Sequence, residues 1–374
     1  MLIDALQSLT AGAMAMTWQS SAMIFLGLVL IYLAIKRGVE PLLLVPIGFG
    51  AVIVNLYPDL MGAKGLLRYF YDFGITTEIF PCLIFIGIGA MTDFGPLLES
   101  PAILLFGAAG QFGIFMTLLL ALQFGFTKLQ ACSIGIIGAC DGPTSIYFSE
   151  KYAKELLTAI SVAAYAYMSL VPIIQPAVMR LLTTEEERKI KMTTSKRTVS
   201  KTVRILFPIL VTLITCLIAP FGTPLMGCLM LGNLLRESGV TGRLLNASQN
   251  EIANIVTLLL GISIGGSMIG SSFLNIDTLI ILGLGLFAII VDTAAGVMFG
   301  RLMKTLTRGR INPLIGAAGI SAFPMAARVV QKEGQKANPQ SYLLMHAMGA
   351  NAGGQIGSVL AASVMMSVLN GMRF

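Results

Sequence analysis

Apolar runs long enough to cross a bilayer, about 17–25 residues each, recur from one end of the chain to the other, separated by short polar or basic connections. They predict spans at 19–35, closed by Lys36 and Arg37, and at 39–57, 79–92 and 101–124. Residues 58–78 hold Pro58, Asp59, Lys64, Arg68, Asp72 and Glu78 and read as an interfacial or external connection. Further spans follow at 157–181, 205–219, 222–235, 252–270, 277–300 and 340–368. Two apolar stretches do not fit a straight helix. Residues 129–150 are interrupted by Asp141, Gly142 and Pro143, and residues 311–330 by Asn312, Pro313 and Pro324. Gly and Pro interrupt helices, and broken backbone at membrane depth must face protein or a water-filled cavity. Both stretches are therefore expected to be re-entrant hairpins. The predicted fold class is an all-α polytopic membrane protein of about ten transmembrane helices plus two re-entrant hairpins, with the plan of an ion transporter.

Charge orients the spans. Residues 182–204 carry Glu185, Glu186 and Glu187 against Arg188, Lys189, Lys191, Lys196, Arg197, Lys201 and Arg204. The positive-inside rule makes this loop cytoplasmic, together with the cluster Arg301, Lys304, Arg308 and Arg310. The loop is either purely topogenic or also a docking surface for a partner. With Lys36 and Arg37 inside, span 101–124 ends outside. If residues 129–150 enter and return, span 157–181 delivers the basic loop to the cytoplasm, and four further spans put Arg301–Arg310 there too. A full crossing at 129–150 would place the most basic loop outside.

This loop divides the chain. Residues 1–78 are expected to be scaffold or oligomer contact, 79–181 a first repeat with the hairpin 129–150, and 205–374 a second half with the hairpin 311–330. Ile86–Met91 resembles Ile262–Ser267, and Ile137–Ala139 matches Ile315–Ala317. The side count brings one hairpin in from outside and the other from the cytoplasm, which makes the repeat inverted.

Composition agrees with a membrane location. Of 374 residues, 56% are hydrophobic and 11% charged, whereas soluble proteins average about 25% charged. The net charge of +7 sits in short loops, so it reports orientation and not nucleic-acid binding. Five cysteines in apolar segments lack metal-ligand spacing and read as small core residues. The N-terminus lacks the basic start of a cleavable signal peptide.

Candidate chemistry gathers at the breaks. Asp141 in apolar sequence is costly unless used. A hard cation such as Na⁺ needs several oxygen ligands. Asp141, Thr144 and Ser145 offer them from the first hairpin, Asn312 and Ser321 from the second, and Asn351 and Gln355 from the last span. Arg328 ends the second hairpin on the cytoplasmic side. It suits an incoming carboxylate or phosphate, or snorkels at a helix end. Tyr167 lends a hydroxyl or proton to the site, or packs. His346 reads as a hydrogen-bonded core residue and Asp93 as a helix-end turn. These features alone leave open a secondary sodium/proton or sodium-coupled solute transporter with no chemistry of its own.

Several motifs are more specific. The segments 89–98 (GAMTDFGPLL), 138–146 (GACDGPTSI), 163–176 (AAYAYMSLVPIIQP) and 232–240 (GNLLRESGV) resemble the membrane β subunit of the sodium-pumping biotin-dependent decarboxylases. So do 312–321 (NPLIGAAGIS), 324–328 (PMAAR) and 343–351 (LLMHAMGAN). The resemblance covers roughly residues 80–365 and implies the following. A carboxyltransferase α subunit moves CO₂ to biotin on a carrier protein. The β subunit decarboxylates carboxybiotin, exports Na⁺ and takes up a proton. Small membrane subunits complete the complex in a bacterial cytoplasmic membrane, and the β subunit forms an oligomer, expected to be a trimer. Carried over by motif, the Na⁺ site falls on Asp141, Thr144, Asn312, Gly316, Ser321 and Asn351. Catalytic roles fall on Asp141, Tyr167 and Arg328, and carboxybiotin contacts on Arg328, Ser321 and Asn312. Cys140 and the run 350–355 (ANAGGQ) depart from the family pattern beside these ligands. Oxaloacetate, methylmalonyl-CoA, glutaconyl-CoA and malonate systems use similar β subunits, and the compact chain favours the acyl-CoA type.

Overall fold

The computed structural model describes residues 16–38, 40–192 and 199–371. Lys196 and Arg197 of the basic loop, and the start of the expected 1–78 segment, lie outside the described residues. Among those residues there is no strand.

The apolar runs fold as helices α1 (Trp18–Arg37), α2 (Pro41–Leu56), α3 (Ile79–Met91), α4 (Leu104–Ala109), α5 (Phe112–Gln123), α6 (Lys128–Gly135) and α7 (Gly142–Tyr152). After these come α8 (Leu157–Leu182), α9 (Lys201–Ile218), α10 (Thr223–Ser238), α11 (Ala253–Ser267), α12 (Ile276–Leu306), α13 (Met325–Ala337) and α14 (Leu344–Gly371). Local chemistry sets several ends. Thr17 caps α1 by accepting from Ser20 N–H, and Gly38 ends it in the left-handed region (φ 63°). Thr127 and Gln130 form a reciprocal capping box at α6, and Asn275 caps α12.

The polytopic helical class is observed, but the expected count of about ten spans is not reached by length and composition. Among the described residues six helices are long and apolar enough, or seven if α2 is joined to Pro58–Thr76 across a 115° bend. The expected spans 39–57, 79–92, 222–235 and 252–270 are helices of 16, 13, 16 and 15 residues. At 1.5 Å per residue these fall short of a hydrocarbon core about 30 Å thick. The expected span 101–124 is one of the six, running Pro101–Gln123 through the break at Gly110–Gln111 between α4 and α5.

Both interrupted stretches break where expected. In the first, α6 gives way to a 3-10 turn (Ile136–Ala139), Cys140 takes a left-handed conformation (φ 53°), and extended Asp141 starts α7. Each arm is too short to cross. Gln130, near the start of α6, donates to Glu155 just before α8 (2.8 Å), and Lys151 near the end of α7 pairs with Glu78 just before α3 (3.5 Å). Both arms therefore begin and end at the same end of α8. In the second, a 3-10 turn (Pro313–Gly319) leads through Ile320–Pro324 into α13. Its start is tied to the loop beyond the other end of α8, where the Asn312 amide donates to Arg188 and Ile190 carbonyls (both 2.9 Å). Its far arm is tied there too, by Arg180–Glu333 (2.7 Å) and by Asn338 donating to the Lys189 carbonyl (3.2 Å). The hairpins thus enter from opposite ends of α8. They touch where Ser321 N–H donates to the Ala139 carbonyl (3.1 Å).

The basic loop is fastened near its start. Glu187 is held by Arg301 (3.1 Å) and Lys304 (2.9 Å) from α12. Burial works against the Glu187 charge, but Thr184 N–H, Lys304 and Arg301 outweigh it and hold the carboxyl below the usual carboxylate range. This contact puts both basic clusters on one side, as the charge count requires.

Glycines let main chains touch at several seams, of which two bear on the site. A β-carbon on Gly265 of α11 would overlap the Ile47 carbonyl of α2, and one on Gly316 would overlap the Gly296 carbonyl of α12. Close approach of this kind is how helices pack where lipid offers no hydrophobic drive.

Candidate functional site

The two breaks meet over one face of α14. Asn351, Gln355 and Ser358 follow one another at four and three residues, so they line a single stripe of that helix. All three are buried. Ser358 Oγ donates to Asp141 Oδ2 (2.8 Å). Asn351 Nδ2 donates to the Ile320 carbonyl (2.6 Å), and Gln355 Nε2 to the Ser321 carbonyl. A carbonyl accepts only from the NH₂ end of an amide, so both amide oxygens are turned away from those bonds. Asn351 Oδ1 and Gln355 Oε1 are buried and have no partner.

Asp141 stands at the centre. It is 1% exposed and serves as the cap of α7, accepting from Thr144 N–H (3.3 Å) and Thr144 Oγ1 (2.8 Å). Extended backbone at Asp141 followed by Gly142-Pro143 is the reason α7 starts here, since Pro fits a first turn but not an interior. Asp141 thus has three donors and no basic partner among the ion pairs of the described residues.

A cavity of about 240 Å³ joins Asp141 to Arg328, with Tyr165, Ser321, Gln355 and Glu40 in its lining. Glu40 precedes α2 on the Lys36 side. Burial pushes its carboxyl up, against the field of Arg328. The cavity lies between α2, α3 and α11 on one wall and the breaks with α8 on the other.

The structure brings Asp141, Thr144, Ser321 and Asn351 together and puts Arg328 on the same cavity. Ser321 Oγ donates to the Gly354 carbonyl (2.8 Å). Other candidates are engaged elsewhere. Asn312 uses its amide on Arg188 and Ile190 and its Oδ1 on Leu314 N–H (3.0 Å), so it ties down the start of the turn. Gly316 packs on Gly296 of α12. Ser145 Oγ returns to the Asp141 carbonyl (2.9 Å) within its own helix. The Tyr167 hydroxyl donates to the Leu282 carbonyl of α12, and its ring is not in the cavity lining. Asp93 accepts from Gly95 N–H (2.8 Å), the expected helix-end turn.

Three residues of the site carry no local sequence signal of their own. Tyr165 lines the cavity with its ring against Gly142, and its buried hydroxyl has no partner. Ser358 reaches Asp141 from the middle of a long helix. Glu40 faces Arg328 from a connection. The donor set is all oxygen, with one carboxylate, hydroxyls and two orphaned amide oxygens. It suits a hard monovalent cation and not a thiolate- or imidazole-seeking metal.

Known proteins share this chain's sequence over nearly its whole length. Residues 19–369 match the family model of the Na⁺-transporting oxaloacetate decarboxylase beta subunit. The chain is 52% identical over 360 residues to the methylmalonyl-CoA decarboxylase subunit beta of Veillonella parvula, covering 96% of each. It is 51% identical over 362 residues to the glutaconyl-CoA decarboxylase subunit beta of Acidaminococcus fermentans, again covering 96% of each. The oxaloacetate decarboxylase beta chain of Klebsiella pneumoniae is 46% identical over 423 residues, covering 96% of this chain and 98% of that one. The chain belongs to the family of Na⁺-transporting decarboxylase beta subunits.

Proposed function

We propose that the chain decarboxylates carboxybiotin presented by a biotin carrier and couples that step to Na⁺ export, with uptake of a proton. The observation that carries this reading is the cavity, whose lining holds both Arg328 and an oxygen cluster of Asp141, Ser321 and Gln355. Arg328 receives the carboxylate arriving from the cytoplasm, since guanidinium matches carboxylate in shape and charge. Breaking the bond from the carboxyl carbon to the ureido nitrogen releases CO₂ and leaves a nitrogen that must gain a proton. Tyr165 lines that space, its buried hydroxyl has no partner, and it is the closest match to the role expected of Tyr167.

Na⁺ is the cargo. Asp141, Thr144, Ser358 and the amide oxygens of Asn351 and Gln355 replace its water shell. Na⁺ and H⁺ compete for Asp141, because a buried carboxylate needs one or the other to balance its charge. Asn312, Gly316 and Ser321 hold the second break in the shape the site needs, and Ser321 also lines the carboxybiotin cavity.

The assembly comprises a carboxyltransferase α subunit, a biotin carrier and small membrane subunits in a bacterial cytoplasmic membrane, with the β subunit as a trimer. Residues 1–78 form its scaffold, and 79–181 and 205–374 hold the inverted repeats. Higher identity to the two acyl-CoA relatives, and their shorter aligned lengths, support an acyl-CoA substrate upstream. The test is Na⁺ uptake into proteoliposomes driven by carboxylated biotin carrier. Uptake that depends on the carrier is the expected result. Uptake that runs equally well without it would make the chain a secondary transporter.

A further inference from the structure

A second acid is buried in the molecule, away from the Asp141 cluster. Asp292 lies mid-way along α12 and is 0% exposed. Its Oδ1 accepts from Gly113 N–H, at the point where the chain divides α4 from α5. Its Oδ2 has no partner. Gly138, in the turn of the first hairpin, faces that free oxygen: a β-carbon there would stand 3.2 Å from Oδ2. On Gly113 it would stand 2.5 Å from the carboxyl carbon. The carboxyl is therefore packed against both segments: a β-carbon on Gly113 would run into the carboxyl itself, and one on Gly138 would meet the α5 main chain first, at Ile114 N (2.8 Å), with Oδ2 close behind.

No positive charge balances it. The nearest basic side chain along α12 is Arg301, nine residues on and about 13 Å along the axis, and it is bound to Glu187. Neither α4, α5, the turn Ile136–Ala139 nor the turn Pro313–Gly319 holds a charged residue. Past the first turn come Cys140 and Asp141, which would add only negative charge. From α8 the titratable groups are Tyr165, whose ring packs on Gly142, Tyr167, bonded to Leu282, and Arg180 at the far end, bound to Glu333. From α6 they are Lys128 and Cys132, at its outer end and mid-helix. An uncompensated carboxylate at this depth costs several kcal/mol. Among the described residues Asp292 belongs to no group of three or more His, Cys, Asp or Glu that could hold a metal ion. A proton needs no such group.

We propose that Asp292 is a second proton-binding site, loaded in the arrangement described here and able to unload only when the Ile136–Ala139 turn moves off its free oxygen. Asp292 then senses the position of the first break from behind, while Asp141 holds the ion in front. Loading is the transfer of one proton to Oδ2, and unloading returns it to water admitted beside Gly138. This inference does not depend on the carboxybiotin reading.

Difference infrared spectroscopy of the intact complex tests it directly. The wild type at neutral pH is expected to show a protonated-carboxyl band that D292N lacks and that weakens under Na⁺-driven turnover. D292N keeps the acceptor for Gly113 but cannot ionise. Its transport rate is expected to fall about a hundredfold, with one protonation step missing from the pH profile and little change in melting temperature. If the Asp292-dependent band is absent at neutral pH, the carboxyl is ionised and the proposal fails. If the band persists unchanged through turnover, or D292N keeps the wild-type rate and pH profile, Asp292 is a static packing group and the proposal fails equally. Because the band is read without carboxybiotin, losing it leaves the Asp141 reading untouched, and the converse also holds.

Discussion

The first break is held by a carboxylate, the second by amides. At the first, Asp141 gathers Thr144 and Ser358 around one charge. At the second, side-chain amides capture bare main-chain carbonyls: Gln175 takes Ala317 (2.6 Å), Gln111 takes Gly319 (3.2 Å), Asn351 takes Ile320 and Gln355 takes Ser321. A carboxylate can exchange Na⁺ for H⁺. An amide cannot titrate, but it can fix a shape and leave its oxygen facing inward. Two breaks that look alike in sequence thus divide the labour between a chemical half and a framing half.

The sharpest way to break this contrast is at its charged side. Asp141→Asn should lower Na⁺-dependent decarboxylation by two orders of magnitude or more, roughly the loss seen when a preorganised charge is removed from a closed site. A rate within a few fold of wild type would end the distinction. Arg328→Lys is next: loss of the planar fork should raise the KM for carboxylated carrier by roughly tenfold to a hundredfold, with less change in Na⁺ affinity. The two tyrosines then separate function from packing. Tyr165→Phe should slow turnover about tenfold at unchanged stability, whereas Tyr167→Phe should cost about 1 kcal/mol in a melting experiment with little effect on rate. Equal effects would blur the cavity assignment.

The framing side should answer mainly in stability. Asn312→Ala strands two carbonyls and an N–H and should cost about 1–3 kcal/mol while leaving the Na⁺ dependence of the rate unchanged. A shifted Na⁺ dependence would return Asn312 to the ion site. The smallest effect is on the loop. The Glu187 carboxyl is held below its ordinary value, so its contribution is fully present above that ordinary value. It is lost as pH falls through the depressed one. Glu187→Gln should flatten the acid limb of melting temperature against pH, and an unchanged slope would mean the clamp carries no net charge stabilisation.

Much of this was legible in residue order. Gly142-Pro143 after an acid announced the first break, and the basic clusters decided that it must turn back. What escaped depends on direction around a helix. Tyr165 and Tyr167 are two positions apart, about 200° around the axis, and no local rule says which one faces the cavity. Asn351, Gln355 and Ser358 form a polar stripe on an apolar helix, a signal that appears once α14 is taken as continuous through its glycines. Asn312 before Pro313 has the signature of a cap, and the structure uses it as one. Asp292 is an acid inside an apolar span, the pattern that marks function in a membrane, yet span 277–300 is expected only as a crossing and its acid is given no role. The count of about ten spans is not confirmed by length and composition, because four of the expected spans are helices shorter than a bilayer is thick.

The glycine seams constrain how such a molecule can work as a machine. Where Gly265 rests on Ile47 and Gly316 on Gly296, main chain lies on main chain with no side chain between. Sliding either pair by one residue would drive a β-carbon into a carbonyl, so these pairs transmit force but do not shear. Among the described residues no glycine bridges α2, α3 or α11 to α8, α14 or either break. The wall-to-wall boundary that encloses the cavity is instead lined by side chains such as Leu43, Ile88 and Met168, which can change rotamer. Main chain thus rests on main chain within each wall, whereas side chains fill the cavity boundary between the walls; α10 joins the two, with Gly89 of α3 against its Leu229 carbonyl and Gly222 at its start against Ser363 of α14.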